Sequence, residues 1–116
     1  MKSNSDYLRD LAAEVDHLKV FTREGKAAFL KDERTQYAVM MAYMRIGEIA
    51  KRLPDEWLNA HPEVEWRAIK GFRDVLIHRY DAILPERVWE AIEKLDILKK
   101  AVSALLAVHK DDSHSE

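Results

Sequence analysis

Apolar residues recur at steps of three and four positions through the first half of the chain. Steps of this size place side chains on one face of an α-helix, because a helix turns once in about 3.6 residues. One stripe spans residues 8–18 and the other spans residues 39–53; their members are Leu8, Leu11, Val15 and Leu18, then Val39, Tyr43, Ile46, Ala50 and Leu53. The pattern predicts two long amphipathic helices. Met40, Met41 and Met44 widen the second stripe, so we expect the second helix to be buried on more than one side.

Capping residues and a proline mark the ends of these helices. Residues 3–6 offer side chains that can cap a helix start, and Asp32 is positioned to cap the second long helix. Pro54 ends that helix, because proline lacks an amide hydrogen and clashes with the preceding turn. Two shorter helical turns are expected at residues 27–30 and 55–58.

The second half of the chain predicts two more long helices. The first has an apolar face formed by Trp66, Ile69, Phe72 and Leu76. It should run to about Tyr80. The last helix is expected to begin at the Leu84-Pro85 pair and to reach about His109, since proline is tolerated at the first helical position. Its apolar stripe consists of Val88, Ile92, Leu95, Leu98, Val102 and Leu105.

Composition supports an all-α fold. The 116 residues include only three glycines and three prolines, and good helix formers such as alanine, leucine, glutamate and lysine are abundant. We therefore expect a single domain over residues 1–110, an up-and-down bundle of four or five helices. Residues 111–116 are polar and without periodicity, so a flexible C-terminal tail is predicted there.

Charge and the lack of cysteine exclude some classes of function. The chain has no cysteine, which excludes disulfides, thiolate metal sites and cysteine nucleophiles. None of its histidines has carboxylates at a convincing metal-ligand spacing, so neither a metal nor a cofactor is predicted. The formal net charge of −2 argues against coating nucleic acid through bulk charge, but it allows a local basic groove. No apolar run reaches membrane-spanning length and the N-terminus lacks a signal-peptide core, so a cytoplasmic protein without membrane contact is expected.

One segment of the third long helix concentrates chemically useful side chains. Arg73, Asp74, His78 and Tyr80 lie within eight residues, around an apolar run at 75–77. We expect the apolar run to anchor this segment in the core. The polar residues around it are the candidate functional residues of the chain.

On a regular helix Arg73 and His78 point in different directions. Each residue advances by about 100°, so their side chains diverge by about 140°. Asp74 and His78 lie within about 40° of each other, and Arg73 and Tyr80 within about 20°. Three arrangements remain open for bringing Arg73 and His78 to one ligand. The helix could loosen near His78, the long Arg73 side chain could swing round, or a second copy of the chain could complete the site.

These residue types suit cleavage of RNA without a metal. His78 can take a proton from a 2′-hydroxyl or give one to a leaving oxygen, because an unperturbed imidazole titrates near neutral pH. Arg73 can hold a phosphate with its planar guanidinium and stabilise transition-state charge. Asp74, one turn before His78, could hold the imidazole in one tautomer. The alternative interpretation is structural, since such short motifs are common in helical proteins and can make hydrogen bonds within a fold or interface.

Basic residues extend the candidate site along the helix. Residues 67–81 carry four Arg or Lys and two Asp, a local positive excess in a slightly acidic chain. Arg67 and Lys70 continue toward Arg73 at a spacing of three, which suits contact with a nucleic-acid backbone. Together with Arg79 they form the predicted RNA-binding set.

Motifs along most of the chain resemble the HepT-like family of HEPN-domain proteins. In the order and spacing of that family they are Tyr37-Ala-Val, Ile46-Gly-Glu-Ile-Ala-Lys51, His61-Pro-Glu, Trp66-Arg-Ala-Ile, Arg73-Asp-Val-Leu-Ile-His-Arg-Tyr80 and Val88-Trp89. The resemblance extends from Leu8 to about Leu106. The combined pattern is much more specific than the Arg-x4-His spacing alone.

The resemblance implies a helical-bundle ribonuclease toxin that acts as a homodimer, with its Arg-x4-His-x-Tyr motif lining a cleft between protomers. At the matching positions, Arg73 and His78 are the implied catalytic pair. The implied partner is a minimal nucleotidyltransferase antitoxin, which transfers AMP from ATP to the tyrosine that Tyr80 matches. Asp74 stands where many relatives carry asparagine, so its role is left open. HEPN domains also serve as non-catalytic subunits that bind nucleotidyltransferases, and this is the second functional hypothesis.

Overall fold

The computed structural model describes residues 1–109, which form helices and no strand. Seven α-helices and one 3-10 turn lie within this part of the chain: α1 (Asn4–Phe21), α2 (Lys26–Lys31), α3 (Glu33–Arg52), α4 (Asp55–Asn59), α5 (Trp66–Arg79), the 3-10 turn (Tyr80–Ala82), α6 (Pro85–Ile92) and α7 (Leu95–His109). The predicted all-α class is therefore confirmed. The predicted tail at residues 111–116 lies outside the described residues.

Side chains cap the first two long helices as the sequence predicts. Ser3 Oγ accepts a hydrogen bond from the Asp6 amide at 3.1 Å, and the Asp6 carboxylate accepts one from the Ser3 amide at 3.0 Å. This reciprocal pair satisfies two amide groups that have no partner within the helix. Asp32 Oδ1 accepts hydrogen bonds from the amides of Arg34 and Thr35 at the start of α3. These caps fix where the chain enters α1 and α3.

Helix α3 lies at the centre of the fold. It packs against α1 on one side and α5 on the other, while α1 also packs against α7. The apolar stripes predicted for α1 and α3 are buried throughout. Among the methionines, Met40 and Met44 are half-buried, but Met41 is 55 % exposed. The expectation that all three methionines extend the core is wrong for Met41, which lies on the outer face of α3.

The predicted last helix is divided in two. Its apolar stripe is buried, but α6 ends at Ile92 and α7 begins at Leu95. In the turn between them, the Lys94 amide donates to the Ala91 carbonyl oxygen at 3.1 Å, an i to i−3 hydrogen bond in place of the helical i to i−4 bond. This turn preserves a step of three between buried Ile92 and Leu95, so apolar spacing alone could not reveal the break.

The apolar run at 75–77 is only partly in the core. Leu76 is 1 % exposed, whereas Val75 and Ile77 are 44 % and 41 % exposed. The expectation that the whole run anchors the segment is therefore wrong. Consecutive residues on a helix point about 100° apart, so three in a row cannot all face the core from one side.

No helix within residues 1–109 is long and apolar enough to cross a membrane.

Candidate functional site

Helix α5 carries the candidate residues and stays regular through His78. It runs from Trp66 to Arg79, and helical backbone geometry is lost only at Arg79, where φ is −144° and ψ is 32°. Tyr80 begins the 3-10 turn that follows. The helix therefore does not loosen before His78, and Tyr80 lies beyond the regular helix on which its angle to Arg73 was estimated.

The Arg73 side chain is held against α3. Its Nη2 lies 2.7 Å from Glu48 Oε2, and its Nη1 donates to Asp74 Oδ1 at 2.9 Å. Arg52 Nη2 also donates to Glu48, at 3.1 Å. The Arg73 side chain is 26 % exposed, so its guanidinium is fixed in direction and still reaches solvent. Arg73 turns toward α3 and makes no hydrogen bond with His78 in the protomer.

A glycine allows this close approach of α5 to α3. Gly47 is buried immediately before Glu48, and it contacts the first carbons of the Arg73 side chain. A Cβ added at Gly47 would overlap Arg73 Cβ and would lie 3.2 Å from the carbonyl oxygen of Ile69. Any larger residue at position 47 must therefore push α5 away from α3. Gly47 therefore sets the position of the Arg73 Cβ, and Glu48 sets the position of the guanidinium.

Asp74 belongs to the same ionic network. Its Oδ1 accepts hydrogen bonds from Arg73 and from Lys51 Nζ, the latter at 3.1 Å. These hydrogen bonds, that from Arg73 first and that from Lys51 second, hold the pKa of the Asp74 carboxyl below its ordinary value. Asp74 is therefore ionised at neutral pH. Its partners within residues 1–109 are cations of α3 and α5, and none of its hydrogen bonds reaches His78.

The remaining candidate residues are accessible. His78, Arg79 and Arg67 are exposed, Lys70 is half-buried, and Tyr80 is 56 % exposed. The structure thus presents the imidazole, the tyrosine and the basic side chains to solvent, His78, Arg79 and Tyr80 at the end of α5 and Arg67 and Lys70 nearer its start. Within the described part of the chain, no cluster of three or more His, Asp or Glu side chains could hold a metal ion.

Exposed apolar side chains lie on the same helix faces as Glu48 and Arg73. Tyr37 and Met41, which are 54 % and 55 % exposed, precede Glu48 on α3 at helical spacing and share its face. Ile77 follows Arg73 by one turn on α5 and is 41 % exposed. Apolar area of this kind beside an ionic network is typical of surfaces that meet another protein.

Sequence reasoning missed the residues of α3 that complete this arrangement. Gly47, Glu48 and Lys51 fall inside the Ile46-Gly-Glu-Ile-Ala-Lys51 motif, but the motif served only as a sign of resemblance. One signal was present, since a glycine inside a long helix costs stability and usually has a packing reason. That signal identifies Gly47 but gives no indication of its partner on α5.

Comparison with known proteins identifies one family across most of the chain. The family model described as "Ribonuclease HepT-like" matches residues 11–105. No solved structure matches the chain. The match includes all of α3 and α5, and therefore every residue of the ionic network around Arg73.

Three relatives illustrate the range of similarity. "Probable ribonuclease HepT" of Thermococcus cleftensis is 37% identical over 94 residues, which cover 80% of this chain and 86% of the relative. "Putative RNase TTE0752" of Caldanaerobacter subterraneus subsp. tengcongensis is 33% identical over 115 residues, 95% of this chain and 100% of the relative. "Putative RNase MJ0127" of Methanocaldococcus jannaschii is 42% identical over 64 residues, 55% of this chain and 53% of the relative. All three names describe ribonucleases.

Proposed function

This chain belongs to the HepT-like ribonuclease family, and we propose on that premise that it is a cytoplasmic, metal-independent endoribonuclease toxin of a toxin–antitoxin module. The observation that carries the proposal is the fixed Arg73 guanidinium, held by Glu48 at 2.7 Å on the same helix that exposes His78. A fixed cation and an accessible imidazole are the two groups that cleavage beside a 2′-hydroxyl requires. The relatives named as ribonucleases support the same reaction class.

The proposed reaction is a transesterification within the RNA chain. His78 takes the proton of a 2′-hydroxyl, and the 2′-oxygen forms a bond to phosphorus while the bond from phosphorus to the 5′-oxygen breaks. A protonated imidazole returns a proton to that leaving oxygen, and the products are a 2′,3′-cyclic phosphate and a 5′-hydroxyl. Arg73 stabilises the additional charge on the phosphate oxygens in the transition state. Arg67, Lys70 and Arg79 contact the flanking phosphates.

We propose that the active form is a homodimer with the cleft between its protomers. Arg73 and His78 diverge by about 140° on a regular helix, and α5 stays regular through His78. A two-fold axis beside α5 would bring the histidine of one protomer toward the arginine of the other. Exposed Tyr37, Met41 and Ile77 supply apolar area for such an interface beside Arg73.

Tyr80 is the proposed control point. Its ring is 56 % exposed immediately after α5, two residues from His78, where a modifying enzyme can reach it. A cognate nucleotidyltransferase antitoxin would join the Tyr80 oxygen to the α-phosphorus of ATP and release pyrophosphate. The attached AMP is a bulky anion, which would compete with RNA phosphate for the same cationic residues.

A paired assay tests this function. The unmodified chain should cleave RNA with EDTA present, and incubation with a candidate nucleotidyltransferase and ATP should add AMP to its intact mass and abolish cleavage. The Tyr80→Phe variant should gain no AMP and should cleave RNA with or without that treatment. Retained cleavage after full AMP addition to Tyr80 would contradict control through this residue.

A specific observation favours a second candidate, a non-catalytic subunit that binds a nucleotidyltransferase. In the protomer, the Arg73 guanidinium is already paired with two carboxylates, those of Glu48 and Asp74, which compete with phosphate for it. In the same assay, a tight complex with the nucleotidyltransferase together with no RNA cleavage by the unmodified chain would establish this alternative.

Glu48 is expected to act as a positioning residue for Arg73. The Glu48→Ala variant removes the carboxylate that fixes the guanidinium and should lower kcat by about ten- to a hundredfold, with a smaller change in KM. Glu48→Gln keeps an oxygen acceptor at the same place and should recover part of the loss. Steady-state cleavage of a labelled RNA measures both constants, and Glu93→Ala, at an exposed position after α6, is the matched control. A Glu48→Ala variant that cleaves faster than the parent would mean that Glu48 restrains Arg73 instead of positioning it.

A further inference from the structure

The face of α5 that carries Phe72 borders a cavity. The cavity has a volume of about 330 Å³ and lies between α3, α5, α6 and the start of α7. Its walls are mostly apolar and include Ile69 and Phe72 of α5, Ala91 of α6, and Leu95 and Leu98 of α7. The volume is that of a small-molecule site at the lower end of the usual range.

Tyr43 is the tyrosine that lines this cavity, and its hydroxyl group has no hydrogen-bond partner within residues 1–109. The residue lines the cavity and is 4 % exposed, and its ring meets the Phe72 ring edge-on with centroids 5.5 Å apart. Burial raises the pKa of the Tyr43 phenol, so the hydroxyl stays protonated and can donate. The hydroxyl is therefore available as a donor to an oxygen of a bound molecule.

The charged residues at the edge of the cavity are already paired. Lys94 is bonded to Glu65, which links the α6–α7 turn to the start of α5. Arg87 lies 3.5 Å from Glu90 along α6, and Glu63 is paired with His61. Because each cation has a carboxylate partner and Glu63 adds a third carboxylate, the edge offers no unpaired cation among the described residues to an anionic ligand. Charge complementarity therefore favours a neutral occupant over an anion.

We propose that this cavity binds a neutral, mostly apolar small molecule that presents one oxygen acceptor to the Tyr43 hydroxyl. The size of the cavity suits a molecule of one or two rings, with Phe72 and the leucines around its apolar part. The site is independent of RNA cleavage. Its occupant nevertheless contacts α5, because Phe72 lines the cavity. Phe72 is the residue before Arg73 on that helix.

Two probes that differ by one oxygen test the site. Titration of the 15N-labelled chain with p-cresol should give saturable amide shifts centred on Ala68 and Ala91, and toluene should shift the same amides. Tyr43→Phe should weaken p-cresol about three- to tenfold, the loss of one hydrogen bond, and leave toluene unchanged. Tyr37→Phe, which removes an exposed hydroxyl from the same helix, should change neither affinity.

A filled cavity provides the second arm of the test. Ala91→Trp should abolish the binding of both probes. Amide signals far from position 91 should keep their parent positions, which shows that the variant is folded. Shifts that do not saturate with the parent chain, or binding that survives in a folded Ala91→Trp variant, would overturn the site. Equal weakening of p-cresol and toluene by Tyr43→Phe would overturn the role of the hydroxyl and with it the proposed ligand class.

Discussion

Replacing His78 with alanine is expected to lower the rate of RNA cleavage by about a hundred- to ten-thousandfold, the usual contribution of a general acid or base. The proposed reaction needs the imidazole for proton transfer, and alanine cannot carry a proton. His78 is exposed at the end of α5, so the free energy of unfolding should change by no more than about 0.5 kcal/mol. Cleavage of a labelled RNA and thermal unfolding measure the two effects. A His78→Ala variant that is as active as the parent would show that the assigned mechanism is wrong.

A mixing experiment extends this prediction to the composition of the site. Arg73→Ala should be as inactive as His78→Ala, because it removes the cation that stabilises the transition state. If each site takes its arginine from one protomer and its histidine from the other, a mixed dimer of the two variants contains one intact site. When equal amounts of the two variants exchange subunits at random, about half of the dimers are mixed, and each has one of its two sites intact. The sample should then recover about a quarter of the parent activity. Light scattering should show a dimer in each sample.

The mixed sample separates two arrangements that the fold of one protomer leaves open. Recovery of activity would assign Arg73 and His78 of one site to different protomers. A mixed dimer that remains inactive would place both residues of a site on one chain, and the long Arg73 side chain would then have to leave Glu48 and swing toward His78. A parent chain that is monomeric and active would contradict the composite site directly.

Local patterns revealed much of the fold because burial and capping have short-range signatures. The stripes of α1 and α3 appear in the sequence at helical spacing, and every member of both is buried. The caps Ser3 and Asp32 act on amides two or three residues away. The division between α6 and α7 left no such signature, because the turn at Lys94 keeps the apolar spacing.

Contacts between distant parts of the chain could not be predicted in the same way. Glu48 and Arg73 are far apart in sequence, and they meet only because Gly47 lets α5 pack closely on α3. The expected proximity of Asp74 to His78 followed from one helix taken alone. In the folded chain Asp74 instead meets Lys51 from α3. The residues that set the direction of Arg73 therefore depend on tertiary packing, which a single sequence does not show.

A methyl group at Gly47 is expected to have a large effect on stability and activity together. In Gly47→Ala, the new Cβ would overlap Arg73 Cβ and press on the Ile69 carbonyl oxygen, neither of which can turn aside. The free energy of unfolding should fall by about 1–3 kcal/mol, as for other overpacked interiors. Because α5 must shift, the guanidinium of Arg73 should lose its alignment with Glu48, and RNA cleavage should fall more than about tenfold.

Gly71 provides the matched control on the opposite helix. It lies in the middle of α5, and a Cβ added there has no atom within 4 Å. Gly71→Ala should therefore raise the free energy of unfolding by about 0.5–1 kcal/mol, since alanine loses less backbone entropy in a helix. Denaturant unfolding of both variants separates helix propensity, which the two substitutions share, from the collision with Arg73, which only Gly47→Ala creates. If both variants were equally stabilised and equally active, close packing of α3 on α5 would not be what positions Arg73.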